Sequence, residues 1–317
     1  MLHTQRSYGG SCVAPHHLAA SAGRDVLKQG GNAVEAMVAA AAAIAVVYPH
    51  MNALGGDGFW LIHEPGKAPI AIDACGPAAG LANADFYAGE SHIPERGPKA
   101  ALTMAGTIGG WHEALKVAST WGKQLPLTTL LADAIRHAEA GISVTQSQEA
   151  LTAKHVERLS QSPGFSDSLL LNGQLPREGE RLRQPRLAAT LKRLAEAGLD
   201  DFYRGKLAAS MAKDLEAVGS PLRLADFHAY RAQRVTPLEV TLQDATLYNL
   251  PAPTQGMASL MILAIYERLK ADKPNGFDHL HGLIEATKRA FILRDQNVTD
   301  PGRVPTPLQN LLSEENI

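Results

Sequence analysis

The sequence predicts an α+β protein built of stacked αββα layers, and three observations carry that expectation. Residues 33–47 (AVEAMVAAAAAIAVV) are apolar almost all round a helix, so the helix they form must be buried on most faces. Two pairs of short strands, 59–64 with 68–73 and 238–242 with 246–250, are each joined by a tight turn and read as hairpins. Helical segments outnumber strands and do not alternate with them, which favours helices layered on hairpins over a βαβ parallel sheet. With no internal repeat and no linker between composition regimes, residues 1–317 read as a single domain.

Residues 17–29 form the first helix, with Leu18, Ala22, Val26 and Leu27 roughly on one face. Gly30 and Gly31 end it. Asn32 opens the next helix by accepting from free backbone N–H groups, and Glu35, three residues on, completes a capping box. Pro49 stops that helix, and the turn Leu54-Gly55-Gly56-Asp57-Gly58 follows. Such a turn either packs tightly under a helix or lets its backbone approach something else. Residues 77–100 read as a surface loop, 107–121 and 125–140 as an antiparallel helix pair, and 143–160 as a more polar helix. Residues 160–183 are loop again, punctuated by Pro163-Gly164 and Asn172-Gly173. Amphipathic helices follow at 185–197 and 200–218, parted by Gly198 at a left-handed cap position. After the second hairpin, 256–270 and 277–298 are strong helices, and a loose tail begins at Asp300.

Composition excludes several classes of function. Thirty basic against 32 acidic residues leave a formal charge of −2, and aromatics make up only 5%. That balance builds no field for nucleic acid or an anionic membrane and no base-stacking surface. The apolar helix is too short, and carries Glu35 too early, to span a bilayer. Cys12 and Cys75 are too few for a disulfide framework, and the first ten residues lack the features of a signal peptide. A reducing, cytoplasmic setting is expected.

Self-contained catalytic sets are missing from the pattern. There is no phosphate loop, no G-x-S-x-G elbow, no H-E-x-x-H and no Cys/His cluster at metal spacing, so neither a metal nor an organic cofactor is implied. His16-His17 lies at a helix start and His279-Leu280-His281 at i, i+2 on a helix, positions that suit capping and solvated faces. Asp73 ends a buried strand, as an acid or base or as an acceptor holding the following loop. Cys75 has no base near it in sequence, and a lone cysteine behaves as a small hydrophobe. His50, just past Pro49, is either a pocket wall or a turn residue bonded to backbone.

Taken in order, longer stretches carry a resemblance. GGNAVEA at 30–36, LGGDGF at 54–59 and the strand ending in Ile72-Asp73 are followed by Ala105-Gly106-Thr107-Ile108-Gly109-Gly110-Trp111. Then come Glu178-Gly179-Glu180-Arg181-Leu182, Phe202-Tyr203, and Asp226, Tyr230 and Pro237. Pro251-Ala252-Pro253-Thr254-Gln255-Gly256 and the run Glu285-Ala286, Lys288, Ala290-Phe291, Asp295 complete the series. Together they resemble the large chain of the gamma-glutamyltransferase family of N-terminal-nucleophile hydrolases. The resemblance implies a four-layer αββα sandwich, with this chain contributing many helices and part of the sheets. It implies a precursor that cleaves itself, and a threonine nucleophile at the start of a partner small chain whose own α-amine is the base. No catalytic residue is then expected in this chain, and heterodimers could pair further.

One departure bears on substrate. After the strand ending at Asp73 the family reads roughly D-F-R-E-T-A-P, and its arginine pairs with the substrate's α-carboxylate. Here the stretch is Asp73-Ala74-Cys75-Gly76-Pro77, and a thiol cannot imitate a bidentate guanidinium. Some members of the superfamily hydrolyse other amides, and residues 7–23 and 46–66 resemble the oxamate amidohydrolase type. The resemblance therefore implies hydrolysis of a small carboxylate-bearing amide. Cys75, Asp73, His50, Asn52, Gly55, Gly56 and Asp57 would shape the pocket from this side. A true gamma-glutamyltransferase and a non-catalytic binding homologue are the alternatives.

Overall fold

The computed structural model describes residue 4, residues 6–269 and residues 275–317. In chain order the elements begin with α1 (His17–Lys28), α2 (Ala33–Val47), β1 (Gly58–Ile62), β2 (Ile70–Ala74), α3 (Thr107–Ala118), α4 (Leu127–Leu130) and α5 (Ala132–Ala140). Next are β3 (Ile142–Ser143), α6 (Gln146–Leu159), α7 (Phe165–Leu169), β4 (Arg181–Leu182), α8 (Pro185–Ala197), α9 (Asp201–Arg204), α10 (Lys206–Ala217) and α11 (Leu224–Ala229). The last are β5 (Gln233–Val235), β6 (Leu238–Thr241), β7 (Thr246–Asn249), α12 (Gly256–Leu269) and α13 (Phe277–Asn297). Residues 1–58 and 75–231 form one compact unit, and residues 59–74 and 232–317 form another.

The first unit is packed around α2. Val38, Ala42, Ala43, Val46 and Val47 are fully buried, and α1, α3, α4, α5 and β3 all pack against the helix. Its start is the capping box read from the sequence: Asn32 Oδ1 accepts from the backbone N–H of Val34 and Glu35, and Glu35 Oε2 accepts from Asn32 N at 2.8 Å. Glu35 has a second duty that local sequence does not show. Its Oε1 accepts from Leu125 N at 2.6 Å, so a fully buried carboxylate ties the loop before α4 to the first turn of α2. Small residues set the distance between α1 and α2. A Cβ on Gly23 would lie 2.8 Å from the carbonyl oxygen of Ala36.

Several segments differ from the sequence expectation. The helix expected over 125–140 breaks at Leu131 into α4 and α5. The one expected over 200–218 breaks at Gly205, because the Asp201 carboxylate fills the space beside that glycine. There it accepts from the N–H groups of Lys206 and Leu207, which start α10, and from Arg193. Residues 142–143 and 181–182, read as helix start and loop end, pair as the antiparallel ladder β3–β4.

In the second unit a three-stranded sheet runs in the order β1-β2-β5. The antiparallel β2–β5 register pairs Ala71 with Val235, Ile72 with Arg234 and Asp73 with Gln233. The strand β5 was not visible in the sequence, since three residues are too few for an alternation to register. The hairpin β6–β7 forms as expected, pairing Leu238 with Asn249 through Thr241 with Thr246. Residues after Asp300 do not form a loose tail. Leu308 and Leu312, on a short 3₁₀ turn, are buried in the core with Met257, Leu260, Met261 and Leu238. Helix α12 is described to Leu269, so the expected end at Lys270 lies outside the described residues. No helix among the described residues is long and apolar enough to cross a membrane.

The two roles of Glu35 make a direct prediction. Glu35→Ala, which strands two backbone donors, should lower unfolding free energy by about 3 kcal/mol. Glu35→Gln, which strands one, should cost roughly half as much in the same urea titration.

Candidate active site

The glycine turn at the end of α2 is held from the side of α3. Gly56 O accepts from Gly106 N and Thr107 N, both at 2.8 Å. The Thr107 hydroxyl lies 2.8 Å from Gly56 O and 2.9 Å from Asp57 O. Of the two expectations for this turn, packing beneath a helix is the one met within the chain. The helix start is itself braced at a distance. The capping position of α3 is Gly106, which has no side chain, and the Tyr203 hydroxyl accepts from Gly109 N at 2.8 Å and donates to Ala105 O at 2.9 Å. Burial pushes the Tyr203 phenol well above its ordinary range, so it stays a neutral donor. Gly55 has open space where a Cβ would stand.

Asp57 carries the turn's grip on the next segment. Its Oδ1 accepts from Gly76 N at 3.2 Å. Residues 76–79 run against 102–104 through Met104 N to Pro77 O (2.9 Å) and Ala79 N to Leu102 O (2.8 Å). The approach is close: a Cβ on Gly76 would sit 1.4 Å from the carbonyl oxygen of Met104. Cys75, immediately before, is half-buried, with Sγ 4.0 Å from Gly76 O. The structure thus brings Gly56, Asp57 and Cys75 into one locked stretch of backbone.

His50 belongs to a different cluster. Its Nε2 lies 3.1 Å from Ser147 Oγ, so its partner is a hydroxyl on α6 and not the backbone atom expected from its place in a turn. Ser147 Oγ is also 3.1 Å from both Tyr48 Oη and Thr145 Oγ1. Among the described residues the buried Nδ1 of His50 has no hydrogen-bond partner, so there the Ser147–His50 pair lacks the orienting acid of a nucleophilic triad. Burial also lowers the pKa of His50, which keeps the ring neutral. Asn52 lines a cavity of about 550 Å³ together with Pro49, Leu54, Arg183 and Gln184. Asp73, in the second unit, lines an apolar cavity of about 350 Å³ with Val235, Pro237, Pro251 and Leu308. Among the described residues no group of three or more His, Cys, Asp or Glu side chains is placed to hold a metal ion.

Sequence reading missed Thr107, Tyr203 and Ser147 as site-building residues. A local signal existed only for the region of the last: Thr145 with Gln148 three residues on has capping-box spacing, and Thr145 Oγ1 does accept from Gln148 N at 3.2 Å.

This architecture and these motifs define a class. The chain belongs to the gamma-glutamyltranspeptidase family, whose profile matches residues 19–317, and its fold is the αββα fold of those N-terminal-nucleophile hydrolases. It is 54% identical over 307 residues to the oxamate amidohydrolase proenzyme of Klebsiella pneumoniae, covering 96% of this chain and 58% of that protein. Among solved structures it is similar to the gamma-glutamyltranspeptidase of Helicobacter pylori, with a TM-score of 0.91 and 26% identity over 99% of this chain and 91% of that chain. It is also similar to the cephalosporin acylase of Bacillus halodurans, with a TM-score of 0.86 and 32% identity over 94% of this chain and 56% of that chain. The chain spans little more than half the length of the curated relatives it matches.

The two glycines of the site should respond oppositely to a methyl group. Gly76→Ala forces a backbone carbonyl to move and should cost about 3 kcal/mol or more in stability. Gly55→Ala should change the melting free energy by less than about 0.5 kcal/mol.

Proposed function

We propose that this chain is the large subunit of a gamma-glutamyltranspeptidase-family amidohydrolase acting on a small carboxylate-bearing amide of the oxamate type. The 54% identity to a protein named for that activity carries the reading. The segment at 75–76 gives it a physical reason. Cys75 stands where the family's carboxylate-pairing arginine is expected, and Gly76 has no room for the glutamate that would follow it. A desolvated site without that guanidinium loses about 2–5 kcal/mol of grip on an amino-acid head group.

In this reading the reacting hydroxyl belongs to a threonine that leads the small chain cut from the same precursor. Its free α-amine takes the hydroxyl proton as the oxygen attacks the amide carbonyl. Backbone N–H groups hold the oxyanion, the C–N bond breaks, and ammonia leaves with the transferred proton. Water then hydrolyses the ester, releasing the dicarboxylate and restoring the threonine. In this reading the present chain supplies a pocket wall: Cys75 and His50, with the backbone of Asn52, Gly55, Gly56 and Asp57.

Unpartnered apolar surface supports a second chain. Strand β1 is an edge strand, and its Phe59 and Leu61 are each more than 40% exposed. Phe277, Leu280 and Ile284, at i, i+3 and i+7 on α13, form an exposed apolar stripe. The match fills 91% of the Helicobacter pylori chain but 56% of the cephalosporin acylase chain, as it would if such proteins occur both cut and uncut. A count of two cysteines in 317 residues suits a cytoplasmic setting.

The test is an assay of the co-expressed, self-cleaved pair. Ammonia should be released from oxamate, with no turnover of a gamma-glutamyl anilide, and Cys75→Arg should introduce glutamyl turnover. The reverse pattern in the unaltered pair makes it a glutathione hydrolase, and no turnover of either substrate removes the enzymatic reading.

A further inference from the structure

Four histidines from three stretches of chain converge around the end of α2, and His16, His50 and His137 are each arranged to work while neutral. His16 is the capping residue of α1, with Nδ1 accepting from Leu18 N at 3.2 Å. Its ring stacks on His17 at 4.6 Å and lies 6.2 Å from the ring of Tyr48. Tyr48 in turn meets His50 edge-on at 4.2 Å, and both reach Ser147 at the start of α6. His137, on α5, is buried, and its Nε2 is 3.1 Å from a guanidinium nitrogen of Arg136. The charged or titratable groups facing these imidazoles are one another, Tyr48, and Arg136 and Asp133 on α5. From α6 come the hydroxyls of Thr145 and Ser147.

We propose that His16 and His50 form an acid-released clasp, which holds the chain leaving α2 at residues 48–50 in place while the rings are neutral and frees it when the rings take up protons. A protonated imidazole has two donors and no acceptor. At His16 that removes the cap and sets a cation against the positive end of α1. At His50 both ring nitrogens become donors, and among the described residues the buried Nδ1 has no hydrogen-bond partner. At His137 it sets a second cation beside Arg136.

The titration has the matching sign. Burial lowers the pKa of all three rings below the ordinary 6.5, helped at His16 by His17 and His137, and at His137 by Arg136 and His17 against the opposing pull of Asp133. An unfolded or released chain therefore binds more protons below pH 6.5, so the clasp is intact above that pH and weakens as pH falls through it. Its effect on turnover rests on the assignment of residues 52–57 to the substrate pocket, whereas the clasp itself does not.

Hydrogen exchange on the full-length, self-cleaved protein tests it, with rates corrected for intrinsic pH dependence. Between about pH 7.5 and pH 5.5 the unaltered protein should lose protection by about tenfold in segments 15–20 and 48–50. His16→Asn caps without titrating and should keep segment 15–20 protected at the lower pH. His50→Gln should do the same for 48–50, and the pair of substitutions should move the acid limb of kcat/KM for the small amide to lower pH. Equal protection at both pH values in the unaltered protein, or the same acid loss in both variants, would overturn the clasp. A protein that shows the clasp but turns over no amide keeps this inference and loses the proposed function.

Discussion

A helix with no polar face imposes the constraint on which the first unit depends. Residues 33–47 offer water almost nothing, so neighbours must cover most of α2, and four helices and a strand do so while Met37 stays exposed. Its alanines let those neighbours approach closely, and the lone charge, Glu35, is used up by two backbone donors. A helix fixed in this way also fixes what leaves its end. Tyr48, His50 and the turn at 52–57 emerge from the C-terminus of α2, so their position follows from how well the helix is buried.

The turn at 56–57 is held chiefly through its backbone. Carbonyls of Gly56 and Asp57 meet α3, and the Asp57 carboxylate meets Gly76. The nearby side chains with interesting chemistry are kept neutral: a phenol raised by burial at Tyr203 and an imidazole lowered by it at His50. Under the proposed function a segment of this kind orients and encloses, leaving attack on the substrate to another polypeptide.

What could be read from sequence follows from the range of the signals. The capping box at Asn32–Glu35, the all-apolar helix and the β6–β7 hairpin are local patterns, and they appear where the sequence placed them. Tyr203 bracing Gly109, Ser147 meeting His50, and Glu35 meeting Leu125 join residues roughly ninety or more positions apart, and no periodicity encodes such pairs. The break at Gly205 was hidden for another reason. The glycine is visible, but the carboxylate that needs its space is four residues back and is held there by Arg193 from another helix. At the candidate site, the departure at Cys75 was legible as chemistry, while the crowding at Gly76 arises only when residues 102–104 fold against it.

The crowding at Gly76 reaches beyond stability. An arginine can be written back at position 75 by one codon, but its acidic neighbour cannot be restored by a second, because the main chain of Met104 already occupies the place of the first side-chain atom. Recovering the whole dipeptide would mean re-routing both 76–79 and 102–104. On the proposed function, the difference between the two kinds of substrate site is therefore recorded in the path of the polypeptide, and a laboratory lineage climbing from one to the other by single replacements would meet a gap in the route.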